Sequence, residues 1–157
     1  MSVLYPGCER KVYVNDDVDK YIQQLIKGKY ASPELPEFTT EYIPELLEYK
    51  DDTTLIHNFP HNPISSLWLE DCRLGVFVLW TIESIRAVEI QSEYLIGRFP
   101  SQNPLIYFTN SDIMMSYSPS KAHSIAAKAY YDWWYDDGIL SVKLETDPLL
   151  NTGYSWH

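Results

Sequence analysis

The stretch 74–90, LGVFVLWTIESIRAVEI, constrains the fold most, because it has the highest density of apolar residues in the chain. Its first half is apolar nearly all round a helical wheel, and helices of that kind lie inside domains. β-branched residues there leave a strand as a competing interpretation. The pattern nevertheless continues for about 17 residues, whereas strands usually end after about 4–8. The stretch therefore predicts a central apolar helix over about 72–91, with Asp71 as its N-cap.

Length and charge limit the classes of protein to which the chain can belong. Its 157 residues predict one domain over 1–157, opening with an irregular N-terminal arm over 1–14. A net charge of −10 argues against nucleic-acid binding, which needs a basic surface, and suits a basic protein partner. The apolar run is too short and too interrupted by charge for a transmembrane segment, which needs about 20 residues.

Amphipathic segments on either side of this stretch predict further helices. Apolar residues in 16–26 recur at helical spacing, and Gly28 suits the C-terminal cap. Threonine caps and an early proline predict a second helix over 41–50. Ser118 at the N-cap with proline next predicts a long helix that ends at Gly138. Two short runs predict a minor β element in which they pair. Residues 105–108 are apolar, and residues 139–144 alternate between apolar and polar. The fold class is thus mainly α, an irregular helical domain.

Several short strings carry a resemblance to a known family. They are Phe59-Pro60, Asn62-Pro63-Ile64-Ser65-Ser66, Val78-Leu79-Trp80-Thr81-Ile82-Glu83-Ser84-Ile85-Arg86-Ala87 and Gly153-Tyr154-Ser155-Trp156. With them, most of the chain resembles an uncharacterised family of bacterial, often exported, proteins of unknown function. The resemblance implies a helical fold and export to the cell envelope, and it brings no activity. Because the first residues show no secretory signal, the sequence itself predicts a cytoplasmic protein or a signal further upstream.

Glu83 and Arg86 are the charged pair inside the apolar stretch. They are three residues apart, so they meet on one helix face. The simpler interpretation is an ion pair at the edge of the buried face. The alternative is a partly buried pair that lines a polar pocket, because a buried charge without a partner costs several kcal/mol, on the order of 3–5.

A run of aromatic residues, YYDWWY over 130–135, is the second candidate site. Five aromatic side chains on two helical turns cannot all face one core. We expect Trp133 and Trp134 on one side and Tyr131 on the other. One interpretation is packing beneath the C-terminal tail, and the other is a surface for a partner or ligand, because exposed Tyr and Trp are favoured at interfaces.

The remaining candidates give no catalytic or metal prediction. His57 and His61 are four apart, but Pro60 lies between them and breaks the helical spacing that a zinc pair needs. No phosphate-binding glycine loop and no nucleophile elbow occur, so no cofactor, metal or catalytic residue is predicted. Cys8 and Cys72 have no metal-type spacing, and whether they form a disulfide stays open.

Two functions follow as expectations. The first is a non-enzymatic binding protein that uses an acidic, aromatic-rich surface for a basic protein partner. The alternative is an enzyme or small-ligand binder of unrecognised type, with a polar pocket at Glu83 and Arg86 near His57 or His61.

Overall fold

A computed structural model describes residues 16–109 and 119–157. A single 3-10 turn, Thr40–Tyr42, precedes the second helix. The elements, in chain order, are α1 (Asp16–Ile26), α2 (Ile43–Leu47), β1 (Leu55–Ile56), β2 (Cys72–Arg73), α3 (Leu74–Glu89), β3 (Ile106–Phe108), α4 (Pro119–Tyr135), α5 (Leu140–Glu145) and β4 (Tyr154–Trp156). The predicted arm 1–14, Cys8 and the Ser118 cap lie outside the described residues.

Helix α3 carries the apolar stretch, and twelve of its sixteen residues are buried. It begins two residues later and ends earlier than the predicted 72–91. The prediction of Asp71 as N-cap is wrong, because Cys72 and Arg73 first pair with β1 as a strand. Backbone carbonyls then take over the capping role. In the first turn, the Leu74 N–H donates to the Thr54 carbonyl and the Gly75 N–H donates to the Asp52 carbonyl, each over 2.8 Å.

Helices α1 and α2 cover one side of α3. The predicted face of α1 is buried, namely Val18, Tyr21, Ile22 and Leu25, and Gly28 has the positive φ of 63° that suits a helix end. Thr81 donates its hydroxyl proton to the Phe77 carbonyl, so the Tyr21 hydroxyl, 2.8 Å away, donates to Thr81. The predicted helix over 41–50 is present only as the 3-10 turn and the single turn-and-a-half of α2.

Two antiparallel two-stranded sheets complete the fold, β1 with β2 and β3 with β4. The β element near 105–108 is present, but its partner is Tyr154–Trp156, with Ile106 opposite Trp156. The predicted strand 139–144 is wrong, because those residues form most of α5. Leu144 is the residue of α5 that is buried in the core. A run of six residues with alternating polarity spans less than two helical turns, so its period does not distinguish a helix from a strand.

Helix α4 packs closely on α3 through small residues. Ala122, Ala126 and Ala127 are buried on its inner face, and Gly75 of α3 lies opposite His123. The described residues therefore form a mainly helical fold with two minor antiparallel sheets. No helix in the described ranges has the length and apolar content to cross a membrane.

Candidate functional site

Glu83 and Arg86 form a bidentate ion pair on the inner side of α3. The Arg86 Nε lies 3.0 Å from both carboxylate oxygens of Glu83, and Nη2 donates to Oε1. The Glu83 residue is only 6% exposed. Because both charges are removed from water, each depends on the other and on further hydrogen bonds for compensation.

Three other elements supply those further hydrogen bonds. From α4, the Tyr130 hydroxyl donates to Glu83 Oε2 over 2.7 Å. From β4, the Trp156 indole N–H donates to the same hydroxyl over 2.9 Å. From α5, the Leu144 carbonyl accepts from Arg86 Nη1 over 2.9 Å. The pair is thus the centre of a four-element polar network, which we call the Glu83 network (Glu83, Arg86, Tyr130, Trp156 and the Leu144 carbonyl).

Burial and charge fix the protonation of this network. Burial raises the pKa of Tyr130 well above its ordinary value, and the adjacent Glu83 carboxylate raises it further. Burial alone lowers the pKa of Arg86, but the hydrogen bond and negative charge of Glu83 outweigh burial, so that this pKa lies above its ordinary value. At neutral pH the network therefore holds a neutral phenol and a charged guanidinium.

The geometry favours the simpler interpretation of the pair, a structural ion pair. The acceptor oxygens of Glu83 are occupied by protein donors, and the main cavities formed by the described residues have neither Glu83 nor Arg86 in their walls. This arrangement adds no support to the alternative of a polar pocket there.

The two histidines named as candidates, His57 and His61, lie outside the Glu83 network and make different contacts. The His57 ring Nδ1 is 3.2 Å from the Glu70 carbonyl. The His61 ring stacks on Trp68 with centroids 4.0 Å apart, and burial lowers the pKa of His61. Neither belongs to the Glu83 network. In the described ranges no three His, Cys, Asp or Glu side chains come together as a metal site would require.

The aromatic run divides between the core and the surface. Trp133 is 8% exposed, and its indole N–H donates to the Lys143 carbonyl over 2.7 Å. Trp134 is half-buried against Trp133. The rings of Tyr131 and Tyr135 contact each other at an interplanar angle of 45°, with centroids 4.6 Å apart, and both residues are exposed. Of the inner residues, Tyr130 contacts Trp156 of the C-terminal tail and Trp133 contacts α5, whereas the outer tyrosines are on the surface.

A groove of about 780 Å³ opens beside these outer tyrosines, between the end of α4, α5 and the loop before β4. We call it the α4–α5 groove. Its apolar walls are Tyr131, Trp133, Tyr135, Val142 and Leu150. Sequence reasoning missed Val142 and Leu150. The first was assigned to a strand and the second to an irregular tail, and only the helical form of 140–145 brings both beside α4.

Acidic side chains line the same groove. They are Asp132, Asp136 and Asp147, of which Asp132 is ion-paired with Lys128 of the same helix. Lys143 also lines it, but its ammonium donates to the carbonyls of Trp134 and Asp136 over 2.6 and 2.7 Å. The groove therefore presents apolar surface with a net negative rim.

Comparison with known proteins places the chain in a family. Residues 12–157 match the family described as Domain of unknown function (DUF4943). The chain belongs to the DUF4943 family. No curated protein and no solved structure matches this DUF4943 chain. The predicted resemblance to an uncharacterised family is confirmed, while the bacterial and exported origin that it implied stays a prediction.

Proposed function

We propose that this protein is a non-enzymatic interaction module in which the α4–α5 groove binds a basic, amphipathic segment of a partner protein. We further infer that the domain is organised around α3, whose Glu83 network holds α4, α5 and β4 in place. The observation that carries the proposal is the coincidence, in one groove, of exposed apolar side chains and carboxylates.

The apolar part of the groove supports a protein partner. Tyr135 is 53% exposed, Val142 60% and Leu150 61%. Ile139 and Leu140, also exposed, extend the apolar surface at the start of α5. Contiguous exposed apolar side chains with a polar rim are typical of interaction sites, and tyrosine offers large contact area at small entropic cost.

The charge of the groove supports a basic partner. Three aspartates line it, and helix α4 ends there, so the negative end of the helix dipole adds to their field. Aromatic rings in this region already attract ammonium groups. Lys50 Nζ lies 5.3 Å from the Tyr131 ring centroid, and Lys143 Nζ lies 5.5 Å from that of Trp134. Lysine or arginine side chains of a partner would find both carboxylates and aromatic faces.

A model peptide tests the proposal directly. The probe is a synthetic helical peptide with leucine on one face and lysine on the other, titrated into the ¹⁵N-labelled protein. We expect saturable amide shifts in 131–136 and 142–152, weakened by added salt because the attraction is electrostatic. The same peptide with glutamate in place of lysine should not bind.

Matched variants separate the apolar contribution from the charge contribution. Val142→Ser should weaken binding, whereas Ile64→Ser, on another surface and equally exposed at 60%, should not. Asp136→Asn should weaken binding and reduce its salt dependence, whereas Glu93→Gln, which removes the same charge from an exposed site outside the groove, should not.

Binding of the lysine peptide with shifts outside the groove would contradict the proposal. So would equal binding of the glutamate peptide, or affinities of the groove variants that match their controls.

A further inference from the structure

A second, smaller cavity lies on a different part of the molecule from the α4–α5 groove. It has a volume of about 310 Å³, is partly open to solvent, and is bordered by the β1–β2 pair, the first turn of α3, β3 and the first turn of α4. Most of its wall is apolar, from Leu55, Val76, Leu105 and Ala122 among others. Apolar concavities of about 300–1,000 Å³ with a few polar groups are the usual form of small-molecule sites.

The size of the cavity limits the ligand. A water molecule occupies about 30 Å³ of liquid, and an engineered apolar cavity of about 150 Å³ holds benzene. By that measure a 310 Å³ cavity accepts about ten non-hydrogen atoms.

Two of the polar groups in the wall are fixed by the protein itself. His123 is buried, and its Nε2 lies 2.6 Å from the Lys50 carbonyl, so Nε2 carries the proton and donates. Cys72 is buried, and burial raises the pKa of its thiol, which keeps the thiol neutral. The thiol therefore presents no charge to the cavity.

Arg73 is the cationic group of the wall. One of its N–H groups donates to the Ser120 hydroxyl over 3.0 Å, and no carboxylate in the described ranges forms an ion pair with it. Asp71 also lines the cavity and forms no ion pair with Arg73. By contrast, Arg86 is paired with Glu83, and Arg98 donates to the carbonyls of Pro36 and Phe38. A guanidinium has five N–H donors in a fork that matches a carboxylate.

We propose that this cavity binds a small apolar carboxylate of about ten non-hydrogen atoms, with its chain among the apolar walls and its carboxylate on Arg73. The tail gains burial, and the head gains charge-assisted hydrogen bonds with a cation that the described side chains leave without a counter-charge.

Octanoate, with eight carbons and two oxygens, is the probe. Titrated into the ¹⁵N-labelled protein, it should give saturable amide shifts at Arg73, Val76, Ile106 and Ala122. Octan-1-ol, with the same chain and no charge, should bind more weakly, and octylamine should bind no better than the alcohol. Arg73→Gln should weaken octanoate binding about tenfold, because a hydrogen bond to a charged group contributes about 1.5–3 kcal/mol. The alcohol should bind both proteins equally.

Two wall variants and one control complete the test. Val76→Phe fills the cavity and should abolish binding of both ligands. If that variant does not fold, Leu105→Phe, next to β3, is expected to do the same. Lys128→Gln removes an exposed cation from the outer face of α4 and should change nothing. The proposal is overturned by shifts that map to the α4–α5 groove, by octanoate affinity unchanged in Arg73→Gln, or by no saturable binding at all.

Discussion

Glu83 shows how much of the fold rests on single side chains. Its carboxylate accepts hydrogen bonds from Arg86 of its own helix and from Tyr130 of α4, and Arg86 and Tyr130 in turn contact α5 and β4. Each member of the network donates a hydrogen bond to another member or accepts one from it. Removing one member therefore leaves a buried polar group without a hydrogen-bond partner.

Replacement of Glu83 by glutamine tests that dependence. Glu83→Gln leaves the Arg86 charge buried and uncompensated, and we expect the free energy of unfolding to fall by about 3–5 kcal/mol. The double variant Glu83→Gln/Arg86→Met removes the orphaned charge and should recover part of the loss. Urea unfolding followed by circular dichroism measures both. A double variant less stable than the single one would show that Arg86 does not depend on Glu83 for compensation.

At the scale of elements, helices α3 and α4 approach each other at Gly75. A Cβ on this residue would lie 2.4 Å from both the His123 Nε2 and the Lys50 carbonyl oxygen. Glycine costs a helix about 0.5–1 kcal/mol relative to alanine, so its presence here reflects lack of space. It lets the imidazole of α4 reach the backbone carbonyl after α2.

Gly75→Ala should therefore destabilise the protein despite the better helix propensity of alanine. We expect a loss of about 1–3 kcal/mol, because the ring and the carbonyl must both move. Gly138→Ala is the control, since the closest atom to its Cβ is Asp136 Oδ2 at 3.8 Å. Thermal unfolding of the two variants should differ. Equal melting temperatures would mean that α4 shifts without cost.

The elements also show what the sequence alone could predict. Helices α1, α3 and α4 have long periodic patterns and were predicted with small boundary errors, because many residues contribute to each pattern. Segment 139–144 was too short for its period to decide between strand and helix. Its helical form depends on contacts distant in sequence, such as Arg86 with the Leu144 carbonyl. The same limit explains the wrong partner for β3, which is set by the tail.

The candidate sites divide in the same way. The Glu83–Arg86 contact follows from a spacing of three residues, and the structure shows the pair. The α4–α5 groove and the cavity at Arg73 are each lined by residues from several elements. No pattern within one segment of the sequence predicts that these residues lie together. The alternative function would need His57 or His61 near the pair, whereas both lie outside its network.

At the scale of the whole molecule, buried tyrosines predict a loss of stability at high pH. Burial raises the pKa of Tyr21 and Tyr130 in the folded protein above the ordinary value of 10.0. The stabilisation that follows is fully present below pH 10 and is lost as the pH rises through the folded-state values, because the unfolded chain releases these protons first.

Unfolding by urea at a series of pH values tests this prediction. The free energy of unfolding should fall above about pH 10, by about 1.4 kcal/mol per pH unit for each such tyrosine. Tyr21→Phe should remove one of these contributions and make the decline shallower. Tyr94→Phe, at an exposed site, is the control. A decline of equal slope in both variants would show that Tyr21 ionises without unfolding.

The position of Trp156 has a consequence for the order in which the protein can fold during synthesis. The indole that completes the Glu83 network lies more than seventy residues after Glu83 in the chain. A ribosome that has released the chain only as far as residue 150 has delivered α3, α4 and α5, but neither β4 nor the donor for Tyr130. Until β4 is delivered, the buried Tyr130 hydroxyl that donates to Glu83 therefore lacks its own donor. Chaperones that hold apolar nascent segments would meet α3 during that interval.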